Sequence, residues 1–83
     1  MISQERSRNA LLAIQYILVR VRKMAYDHAP YDEIATILDA AEYLPGLMCQ
    51  VEDCTNEFRS VLDELAQQQG LSHALELFDS EVE

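Results

Sequence analysis

Eighty-three residues with 49% apolar content and a formal charge of −9 make one domain with a modest core. A pI near 4.4 excludes a protein that grips nucleic acid through its phosphates, because such sites need clustered Lys and Arg. The apolar content excludes a disordered chain, and two glycines with two prolines leave too little punctuation for many short strands.

The charge is segregated. Residues 1–24 carry Arg6, Arg8, Arg20, Arg22 and Lys23 against Glu5 alone, a net of +4, whereas residues 25–83 carry fourteen acids against Arg59, a net of −13. The split predicts helices settled partly by internal pairing, with negative field left over for a partner.

The first predicted helix spans 3–26 and starts at Ser3, a residue with N-cap chemistry. Leu11, Ile14, Leu18, Val21 and Ala25 recur at steps of three and four, and Ala10, Ile17 and Met24 widen that seam. Leu12 and Val19 point to nearly the opposite side. A helix apolar on most sides is expected to be central and wrapped by the others, or completed by a second copy or a partner. The apolar run from Ala10 to Val19 is about half of the roughly 20 residues a membrane span needs, and it contains Gln15. Arg20-Val21-Arg22-Lys23 follows it where a signal peptide would place small residues, so a cytoplasmic protein is expected.

Asp27-His28-Ala29-Pro30 reads as a turn, since Pro30 disfavours helical angles at Ala29. The second helix is predicted over 31–44, with Ile34, Ile37, Leu38, Ala41 and Leu44 inward and Tyr31 able to join them. Asp32 and Glu33 suit the positive end of its dipole. Pro45-Gly46 should bend the chain sharply or break it, with Pro45 opening the next helix.

A third helix over 46–69 follows from Leu47, Val51, Cys54, Phe58, Val61 and Leu65, with Met48 and Leu62 alongside. Gly70 suits the left-handed position just past its end. A short last helix over 71–79 turns Ala74, Leu75 and Phe78 inward, and residues 80–83 are expected to fray. The fold class is therefore all-α: a small antiparallel bundle of three long helices and a short C-terminal one, in a single domain over 1–83.

On one continuous helix, Cys49 and Cys54 would have Cα atoms about 8–9 Å apart, beyond disulfide reach, so reduced thiols are expected. His28 and His73 lack the further ligands a metal site needs, and no metal or other cofactor is expected. Carboxylate pairs such as Asp39 with Glu42 and Asp53 with Glu57 occur on outward faces, without the closed cleft that acid–base catalysis requires. No catalytic residue is assigned and no enzyme is expected. Asp53, Glu57, Ser60 and Glu64 form a stripe on the third helix, and Asp32, Asp39 and Glu42 one on the second. Some of these acids should meet Arg20, Arg22 and Lys23. Tyr31 and Tyr43 flank the acidic second helix as amphipathic anchors. The candidate partner-binding residues are Tyr31, Asp32, Asp39, Glu42, Tyr43, Asp53, Glu57 and Glu64.

Pro30-Tyr31, Ile37-Leu38, Glu42-Tyr43-Leu44 and a Thr55-x-x-Phe58-Arg59 step together carry a family pattern. Over about residues 10–65 the chain resembles the small all-helical bacterial immunity proteins, in particular those that neutralise an NAD(P)-degrading effector of type VI secretion. The resemblance implies an acidic, non-enzymatic helical domain that occludes the active site of a cognate, basic toxin domain. It transfers no individual contact residue, because the matching positions are mainly core. A homodimeric bundle acting as a regulatory or assembly adaptor is the alternative, motivated by the two-sided first helix. An acidic mimic of nucleic acid is a third reading, resting on the charge stripes alone.

Overall fold

A computed structural model describes residues 4–49 and 53–80. These form four helices and no strand: α1 Gln4–Tyr26, α2 Tyr31–Met48, α3 Thr55–Gln69 and α4 Ser72–Asp79. The helices close a ring in which α1 packs on α2, α2 on α3, α3 on α4 and α4 back on α1. Ser3 and Val51, assigned to helix starts and seams above, lie outside the described residues, as do residues 81–83.

Inside the ring lie Ala10, Ala13, Ile14, Ile17 and Val21 of α1, Ile37, Ala41, Leu44 and Leu47 of α2, Phe58, Leu62 and Leu65 of α3, with Leu71, Ala74 and Phe78. Phe58 and Phe78 stack with centroids 4.6 Å apart, joining α3 to α4 at the centre. Both rings are fully buried, so this contact joins two large apolar side chains across the centre of the ring.

The inward seam of α1 differs from the one expected. Ile14 and Val21 are buried, but Leu11, Leu18 and Ala25 face outward, and the face that sinks is the one carrying Ala10, Ala13 and Ile17. Ala10 and Ala13 are fully buried on the side of α1 that meets the other helices, and small side chains there need less space between helices than Leu11 and Leu18 would. Nor is α1 wrapped: it packs on α2 and α4 but not on α3 among the described residues, and a long outer face stays uncovered.

α1 ends as the turn signal predicted. The His28 N–H donates to the Ala25 carbonyl at 3.2 Å and the Ala29 N–H to the Met24 carbonyl at 2.9 Å, with His28 left-handed at φ 59°. Those two bonds satisfy carbonyls that the last turn would leave open.

Of the bend or break expected at Pro45, the break does not occur. α2 runs through it to Met48, four residues beyond the expected end, and α3 begins at Thr55 rather than 46. A proline inside a helix costs about 3 kcal/mol relative to alanine. Leu44 and Leu47 on either side of it are both buried, and each such burial is worth about 1.5–3 kcal/mol, so packing holds the helix across the proline. Cys49 consequently ends α2 and Cys54 precedes α3. The two cysteines do not share a helix, so the separation expected on one continuous helix does not apply to them, and both are free thiols.

Gly70 closes α3 in the left-handed region at φ 71°, with its N–H on the Leu65 carbonyl. In α4, Ala74 and Phe78 are buried and Leu75 half-buried, as its spacing required.

Candidate partner-binding surface

The outer faces of α2 and α3 carry most of the candidate residues. Asp32, Asp39 and Glu42 project outward from α2, and Glu57 and Glu64 from α3. Their exposure follows from the inward run of Ile37, Ala41, Leu44 and Leu47 on one helix and Phe58, Leu62 and Leu65 on the other, which turns the intervening positions to solvent. Tyr31 does not join the core; it is 81% exposed at the start of α2.

One contact ties the two acidic faces together. The Tyr43 hydroxyl, half-exposed near the end of α2, donates to Glu57 Oε1 at 2.6 Å on the first turn of α3. That carboxylate, as acceptor and as a neighbouring negative charge, raises the Tyr43 phenol above its ordinary value. The structure therefore brings Tyr43 and Glu57 together, while Tyr31 and Asp32 sit at the opposite end of α2, about 16–18 Å away by helical rise.

Asp53 leaves the stripe. It lies in the loop ahead of α3, where its Oδ1 accepts from the Thr55 backbone N–H at 2.9 Å and from the Thr55 hydroxyl. Both bonds, the hydroxyl's first, hold its carboxyl below the ordinary aspartate value. Its role in the fold is to open α3 by satisfying a donor at the helix start. The continuous helix assumed over 46–69 had placed it one turn before Glu57; the loop removes that register.

The cations are spent elsewhere. Arg59 donates to Asp79 Oδ1 at 2.9 Å, and Arg6 lies 3.7 Å from the same oxygen. Arg6 and Arg59 both cover the Phe78 ring, at 4.9 and 5.7 Å from its centroid respectively. Lys23 pairs with Asp27 on its own stretch of chain. Among the described residues no ion pair joins Asp32, Asp39, Glu42, Glu57 or Glu64 to Arg20, Arg22 or Lys23, contrary to the expected pairing. The basic helix faces α2 and α4 with its small apolar residues, which turns Arg20, Arg22 and Lys23 to solvent.

Sequence reasoning missed the clasp at the other end of the molecule. Buried Asn9 donates from Nδ2 to the Phe78 carbonyl at 3.4 Å and the Ser80 carbonyl at 2.8 Å, and Arg6 donates to the Phe78 carbonyl at 2.5 Å. Ser80, expected to fray, is thus held. The available signal was Asn9 itself, a polar residue in register with Ala13 and Ile17 on the inward face.

Among the described residues no three His, Cys, Asp or Glu side chains converge to hold a metal ion, and no helix is long and apolar enough to cross a membrane. No family model, curated protein or solved structure matches the chain.

Proposed function

We propose that this chain is a non-enzymatic protein-binding module, an immunity-type inhibitor that presents the acidic faces of α2 and α3 to a basic toxin domain in the cytoplasm. The bundle, with its helices running antiparallel, is the rigid support for that surface. The observation that carries the reading is the set of outward carboxylates on α2 and α3, Asp32, Asp39, Glu42, Glu57 and Glu64, without a cation partner among the described residues. A carboxylate field with no internal counter-charge attracts a cationic partner from a distance and speeds its encounter. Tyr43, already fixed by Glu57 at the junction of the two faces, offers a preorganised amphipathic contact. Support for the immunity class in particular comes from the sequence pattern around Pro30-Tyr31, Glu42-Tyr43-Leu44 and Phe58-Arg59.

Co-expression with the product of the adjacent gene tests it. Relief of that product's toxicity, with an association rate that drops on the order of tenfold between 50 and 500 mM salt, is the expected result. Glu42→Lys together with Glu57→Lys should slow association further without reducing helix content. If no toxicity is relieved and no cationic partner binds, the reading fails.

A further inference from the structure

We draw no further inference here: the strongest candidate, the outward aliphatic patch of α1 formed by Leu11, Leu12, Leu18 and Val19, carries nothing because nothing in the structure shows what covers it.

Discussion

Asn9 shows how much one side chain can hold in place. Its amide satisfies the last carbonyls of α4 from inside the fold, at 5% exposure, and no water replaces it cheaply there. Asn9→Ala should cost about 1–3 kcal/mol in denaturant unfolding and should free residues after Phe78 in amide exchange. The two left-handed positions respond oppositely to glycine. Gly70→Ala meets no atom within 4 Å, so its expected loss of about 1 kcal/mol is backbone strain alone. His28→Gly removes that strain at the end of α1 and should raise stability by a similar amount, about 0.5–1 kcal/mol, measurable as a higher urea midpoint at constant slope.

The two shifted acids give opposite pH trends. The Tyr43 phenol, raised by Glu57, binds its proton more tightly folded than unfolded. Its contribution is present below the ordinary tyrosine value and is lost as pH rises through the folded one. Asp53, lowered by Thr55, contributes above the ordinary aspartate value and loses that contribution as pH falls through the folded one. In a tyrosine absorbance titration, Glu57→Gln should move one phenol's ionisation to lower pH than in the native chain.

Among the elements, α4 is the shortest and depends most on its partners. Eight residues are too few to form a stable helix alone, so its order comes from burial of Ala74 and Phe78 against α1 and α3 and from the Arg6–Asp79–Arg59 clasp. The clasp is about two-fifths exposed at Asp79, and Asp79→Ala should cost under about 1 kcal/mol. Phe78→Ala removes the stacked ring and should cost about 3–5 kcal/mol, enough to release α4 or unfold a domain of this size. Thermal unfolding together with amide exchange in 72–79 separates those two outcomes. α2 makes the converse point, because the buried leucines flanking Pro45 keep the helix intact where local preference would end it.

At the scale of the molecule, two surfaces of opposite character diverge from one ring. The outward face of α1 is aliphatic with basic ends, and those of α2 and α3 are acidic; among the described residues, Asp27 and Asp79 are the acids that pair with a Lys or Arg. Salt should therefore weaken the α2–α3 contact with a basic partner. Association rates followed over a salt series check it.

The sequence by itself determined the four helices, the turn at Asp27–Pro30, the left-handed close at Gly70, the inward order of Ile37, Ala41 and Leu44, and the segregation of charge. Those are local matters: a 3.6-residue period and the angles allowed to glycine or before proline depend on near neighbours. Tertiary structure decided which of the two apolar faces of α1 sinks, whether α2 survives Pro45, where α3 starts and which acids find a cation. α1 has an apolar period on both sides, so its own residues do not choose between them. The choice falls to the elements packed against it: α2 and α4 bury the side with small Ala10 and Ala13 and leave Leu11 and Leu18 outside.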